Sequence, residues 1–302
     1  MHGRTDARLA ALSGPESFDA VKAAVPAPAD LEQRVALALE EDIGAGDLTA
    51  RLIPADQTGR ASVITREAAV VCGVPYVDAT FRRLDPKIRV DWNVAEGESV
   101  AADRQLFRVA GGARALLTGE RTALNFLQLL SGTATAAHHY ALKIEGTGCR
   151  LLDTRKTVPG LRSAQKYAVR VGGGHNYRFG LYDGILIKEN HIIAAGSLAQ
   201  AVAAAKRTAV PVEVEVETLD QLKQAIDAGA DIALLDNFSL PQLRDGVALN
   251  IALGRRLKLE ASGGVSLDTI RPIAETGVDF ISVGSITKHV HAIDLSMRFD
   301  WS

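Results

Sequence analysis

From Gly146 onward the chain alternates between short apolar, strand-like runs and helical stretches, and this restricts the fold more than any other feature. The strand-like runs are 150–153, 184–188, 212–217, 232–235, 257–261 and 280–283. Ala-rich or Leu-rich stretches such as 198–205 and 219–228 separate them. Short runs joined by helical crossovers form parallel α/β folds, and the spacing favours a barrel over a doubly wound sheet. No run leads into GxGxxG or a Walker A loop, which weighs against a nucleotide-fold oxidoreductase or an NTPase.

In a parallel barrel the loops that follow the strands gather at one end, and the site sits there. The first run closes in Asp153-Thr154-Arg155-Lys156, the second in Lys188-Glu189-Asn190-His191, the third in Glu217 and the fourth in Asp236-Asn237. Ser262-Gly263-Gly264 follows the fifth, and Gly284-Ser285 follows Val283 at the end of the sixth. One charge at a strand end means little. Charges at successive ends point to a site for charged ligands. Within 212–217 Val and Glu alternate strictly, so the valines face one side and the glutamates the other. With helices on the outside, Glu213, Glu215 and Glu217 point into the barrel, a costly placement unless cations or hydrogen bonds meet them. Arg155, Lys156, Arg178 and Lys188 are the candidate partners. Glu217, nearest the rim, reads as substrate-facing, whereas Glu213 and Glu215 read as structural.

The loops Ser262-Gly263-Gly264 and Gly284-Ser285-Ile286-Thr287 let backbone N–H groups approach an anion closely. Either alone reads equally well as a tight turn; together, after the last two strands, phosphate binding is the better reading. Gly172-Gly173-Gly174 reads equally well as a mobile or closely packed turn and as a phosphate contact, and Arg178, after Tyr177, is the better candidate for binding an anion. His138, His139, His289 and His291 read as ordinary helix or surface histidines, and His191 as a buttress for Lys188.

A chain of 302 residues suits two domains. Residues 1–29 read as a leader, 30–129 as a first domain and 130–302 as the barrel, with the C-terminal tail free to pack back on the first domain. Leu31, Val35 and Leu39 mark a helix over 31–41. The period-two stretches between 60 and 110 mark a β-rich module, with Gly73-Val74-Pro75 as a break. The stretch 95–111 resembles a hammerhead or biotinyl-carrier β module, without the Met-Lys-Met turn of a carrier. A helix is expected over 116–130, with Thr118 as its N-cap. Lys+Arg (34) and Asp+Glu (36) nearly cancel, which gives no footprint for nucleic acid or an anionic membrane. No apolar run is long enough to span a bilayer, and the first 29 residues show no signal peptide. Cys72 and Cys149, far apart, read as buried reduced thiols, and a cytoplasmic location is expected.

Three segments carry a family resemblance: Gly119-Glu120-Arg121-Thr122-Ala123-Leu124-Asn125; DTRKTVPGLR at 153–162, Lys166-Tyr167-Ala168-Val169 and the run GGGHNYRFGLYDGILIKENH; and 213–217 with Asp236-Asn237-Phe238 and Ser262-Gly263-Gly264. From about the first helix onward the chain resembles the quinolinate phosphoribosyltransferases. The resemblance implies an N-terminal α/β sandwich (hammerhead-like) and an incomplete, seven-stranded α/β barrel, working as a homodimer or a higher oligomer. It implies transfer of phosphoribosyl from phosphoribosyl pyrophosphate to quinolinate with decarboxylation, giving nicotinate mononucleotide for NAD synthesis, with Mg²⁺ and no organic cofactor. Thr154, Arg155, Lys156, Arg178 and Lys188 would hold quinolinate and phosphate oxygens. Glu217 and Asp236 would face the ribose hydroxyls and metal-bound pyrophosphate, with Lys156, Glu217 and Asp236 the catalytic set. Ser262, Gly263, Gly264, Val283, Gly284 and Ser285 would take the ribose phosphate, and Arg121 would reach the partner's site. The chain departs from the family at Tyr177, where a His is usual. Tyrosine donates a hydrogen bond but is no cation near neutral pH.

Overall fold

The computed structural model describes residues 25–300, so most of the leader expected over 1–29 lies outside the described residues. Two compact units are formed. One takes residues 139–156 and 174–285, the other 25–138, 157–173 and 286–300.

The first unit is built on a six-stranded parallel sheet: β6 (Arg150–Leu152), β7 (Ile185–Ile187), β8 (Val212–Val216), β9 (Ile232–Asp236), β10 (Lys258–Ser262) and β11 (Phe280–Ser282). The strand order is β6-β11-β10-β9-β8-β7. Beyond β6, His175 makes an isolated parallel bridge to Leu152, a single-residue remnant of a seventh strand. The order is thus that of an α/β barrel left open between residue 175 and β7, as expected for an incomplete barrel. Each strand falls within about a residue of its predicted position. Helices over Leu198–Ala205 and Leu219–Ala228 lie where the pattern places them. Ser197 and Thr218 cap them, each accepting a backbone N–H from the first turn. Val212, Val214 and Val216 are fully buried, and Glu217 falls just past the end of β8.

The second unit holds an antiparallel sheet of β1 (Thr58–Thr65), β3 (Arg89–Trp92), β5 (Gln105–Gly112) and β12 (Leu295–Asp300), in the order β12-β1-β5-β3. The last strand therefore pairs with the first, Val63 opposite Met297. A short pair, β2 (Ala69–Val70) and β4 (Ser99–Val100), completes the strands. Helices α1 (Leu31–Ile43), α2 (Val74–Leu84) and α3 (Ala113–Lys143) surround them. Leu31, Val35 and Leu39 are buried with Tyr76, Phe126 and Tyr167.

The strand pattern does break at Gly73-Val74-Pro75, and a helix starts there. Proline suits a helix's first turn, and the Glu96 carboxylate accepts the N–H groups of Gly73 and Val74, both at 2.9 Å. Thr118 is no N-cap, because α3 begins at Ala113. Its hydroxyl lies inside the helix, against Arg114 O and Asp47. Cys72 and Cys149 are free and buried, and burial raises both thiols, Cys149 to about 12. No helix among the described residues is long and apolar enough to cross a membrane.

Candidate active site

All six strands of the parallel sheet run the same way, so their C-terminal ends share one edge. That edge collects Thr154, Arg155 and Lys156 after β6, Lys188 after β7, Glu217 after β8 and Asp236 at the end of β9. Ser262 ends β10, and Val283-Gly284-Ser285 follows β11.

Neighbouring ends touch. A Cβ added to Gly284 would lie 3.0 Å from Lys156 Cδ and 3.4 Å from Thr154 Oγ1, so the lysine stem crosses the β11 loop in close contact with this glycine. The Tyr140 hydroxyl lies 3.5 Å from Ser285 Oγ. Gly263 holds φ +98°, in the left-handed region, and a Cβ there would meet Asn237 Oδ1 at 2.1 Å. Gly264 also lies there, at φ +58°. Asn237 in turn donates to Asp236 Oδ2 at 2.8 Å. Gly263, one of the glycines expected to cradle phosphate, thus lets the loops after β9 and β10 meet.

Lys188 forms an ion pair with Glu215, and its backbone N–H donates to His191 Nδ1 at 3.0 Å. His191 thereby buttresses Lys188, at the start of the helix Glu189–Ala195. Glu217 is exposed at the rim, its N–H donating to Gln221 Oε1 at 2.7 Å.

Buried Asp153 shapes the segment carrying Arg178. It accepts the Tyr177 N–H at 3.1 Å and the Asn176 side-chain amide at 2.5 Å. Asp183 accepts the N–H groups of Phe179 and Gly180 at 2.9 and 3.0 Å. Between these aspartates Arg178 lays its stem across Gly184 and donates to Gly184 O at 3.3 Å. Burial, then the carboxyls of Glu213 and Glu260, drive the Tyr177 phenol far upward, so it is neutral. Glu260 escaped the sequence reading. The signal was present, since Leu259-Glu260-Ala261 alternates as Val212-Glu213-Val214 does.

Arg121 lies in α3, in the other unit. His291 bonds to Glu67 at 3.2 Å, and no cluster of metal-ligating side chains exists among the described residues. Gly172 is a close-packing position, where a Cβ would meet Ala134 O at 2.3 Å.

Comparison with known proteins matches residues 47–131 to the family model "Quinolinate phosphoribosyl transferase, N-terminal domain" and 133–298 to the corresponding C-terminal domain. A probable carboxylating nicotinate-nucleotide pyrophosphorylase of Bacillus subtilis is 41% identical over 260 residues, covering 85% of this chain and 89% of that protein. A carboxylating nicotinate-nucleotide pyrophosphorylase of Mycobacterium leprae is 40% identical, covering 86% and 94%. The structure of the nicotinate-nucleotide pyrophosphorylase from Francisella tularensis superposes with a TM-score of 0.86 at 45% identity, covering 95% of this chain and all of that one.

Proposed function

Because the chain belongs to the quinolinate phosphoribosyltransferase family, we propose that its parallel-sheet edge is where phosphoribosyl pyrophosphate and quinolinate meet. The reaction is phosphoribosyl transfer to quinolinate with decarboxylation, giving nicotinate mononucleotide, pyrophosphate and CO₂ in NAD biosynthesis. The observation that carries the site is the gathering of Lys156, Lys188, Glu217 and Asp236, with two glycine loops, at one edge of one sheet.

Arg155, Lys156, Arg178 and Lys188, with the Thr154 hydroxyl, hold the carboxylates of quinolinate and orient its ring nitrogen toward the anomeric carbon. Since Tyr177 is neutral, charge recognition of the dicarboxylate falls to these cations, and Tyr177 contributes a hydrogen-bond donor at most. The loops Ser262–Gly264 and Val283–Ser285 take the ribose 5-phosphate on backbone N–H groups. Glu217 and Asp236 face the ribose hydroxyls, and their negative charge stabilises the oxocarbenium character that builds as the bond to pyrophosphate breaks. The ring nitrogen forms the new bond as pyrophosphate leaves. Its positive charge then accepts the electron pair left by departing CO₂, and a solvent proton completes the nucleotide.

Acidic side chains at the sheet edge suit Mg²⁺ that arrives on pyrophosphate oxygens, since this ion keeps water and phosphate ligands rather than an all-protein cage. Glu217 and Asp236 would hold it, and it would neutralise charge on the leaving group. No organic cofactor is needed. The working form is a homodimer, in which Arg121 of one subunit completes the partner's site, and higher assembly from such dimers is compatible with it. The near balance of charge leaves no role for nucleic acid. A cytoplasmic location suits two unpaired, buried thiols.

The test is formation of nicotinate mononucleotide from quinolinate and phosphoribosyl pyrophosphate, with and without Mg²⁺, and in a Lys156→Ala variant. Turnover that needs the metal and is mostly lost in the variant supports the site. Unchanged turnover in Lys156→Ala removes that residue from the catalytic set, and binding of the sugar pyrophosphate without turnover overturns the reading.

A further inference from the structure

Glu213 of β8 and Glu260 of β10 are 1% and 2% exposed, and only β9 separates their strands. Glu213 pairs in register with Ile232 and Glu260 with Leu234, two residues apart on β9, so both side chains leave the same face of the sheet. Their carboxyls face each other. The Tyr177 hydroxyl and the Arg178 guanidinium face Glu213, while Ser282, Arg178 and Asp153 face Glu260. Yet Glu213 Oε1, Glu260 Oε2 and Tyr177 Oη, all buried, complete no hydrogen bond of normal geometry.

Two ionised carboxylates cannot satisfy each other, because both only accept. A proton held between them turns one into a donor, and one negative charge remains. Arg178 is the cation facing that charge. A guanidinium has five N–H donors, and one of Arg178's goes to Gly184 O. A single negative charge behind it sets its direction and leaves donors for a ligand. Two would draw it inward, and none would leave it unanchored.

We propose that Glu213 and Glu260 form a proton-sharing pair that serves as the positioning counter-ion of Arg178, fixing how its guanidinium meets a substrate carboxylate. The inference rests on reading Arg178 as a substrate-holding cation. Burial and the facing carboxyl push Glu213 well above the ordinary glutamate value, and burial raises Glu260 too, as the shared proton requires.

The experiment compares wild type with Glu213→Gln, Glu260→Gln, the double variant and Arg178→Ala, measuring KM for quinolinate and for phosphoribosyl pyrophosphate separately. Infrared difference spectra at neutral pH are recorded beside the kinetics. Glu213→Gln keeps a donor facing Glu260, so it should raise the quinolinate KM less than the double variant, which should raise it about tenfold or more. The KM for phosphoribosyl pyrophosphate should hold in both. The wild type should show a protonated-carboxyl band that Glu213→Gln diminishes, and this readout decides the matter even where the double variant fails to fold. A folded double variant with unchanged quinolinate KM, or no infrared difference in Glu213→Gln, overturns the proposal. If Arg178→Ala leaves the quinolinate KM unchanged, the underlying site reading fails instead.

Discussion

Lys188, just past the end of β7, is ion-paired with Glu215 of the adjacent strand β8, and the lysine is half exposed while the glutamate is largely covered. An exposed pair of this kind contributes at most about 1 kcal/mol to stability, because water screens it and two side chains must be held still. Its value lies in pinning a cation at the sheet edge. Lys188→Ala should therefore leave denaturant unfolding nearly unchanged while lowering kcat/KM for quinolinate about tenfold or more. A large stability loss with normal kinetics would show that Lys188 is structural.

Gly263 carries a different burden. With φ +98° and Asn237 Oδ1 2.1 Å from an added Cβ, Gly263→Ala strains the backbone and displaces the loop after β9. The expected cost is about 1–3 kcal/mol, with a raised KM for phosphoribosyl pyrophosphate. Gly264→Ala, strained at φ +58° but with open space around its added Cβ, should cost less. Equal effects from the two would count against a role for the Asn237 contact.

Folded-state stability should fall as pH rises above the ordinary glutamate value of 4.5, through Glu213 and Glu260. Both hold their protons more tightly when folded than unfolded. Their contribution is thus complete below 4.5 and is lost toward the higher folded values. Comparing urea unfolding from about pH 5 to about pH 8, Glu213→Gln should flatten this decline. An identical slope in wild type and variant would exclude the pair as its source.

Subunit sharing can be tested by mixing. Arg121→Ala and Lys156→Ala subunits, each nearly inactive alone, should recover roughly a quarter of wild-type turnover when hybrid dimers form at random. No recovery in a mixture shown to contain hybrids would place Arg121 outside the partner's site.

The sequence by itself determined the parallel α/β repeat, the positions of its strands and the charged residues at their ends. Those signals are local: a period of two in Val212–Val216, and a polar residue where an apolar run stops. Tertiary structure alone decided which distant residues meet. The pairing of β12 with β1, the His175 bridge to Leu152 and the helix Val74–Leu84 started by Glu96 all need partners remote in the chain. The facing of Glu213 and Glu260 is the clearest case. Alternation places each glutamate on the inner face, but only the order of strands in the sheet sets the two side by side, where burial forces them to share a proton.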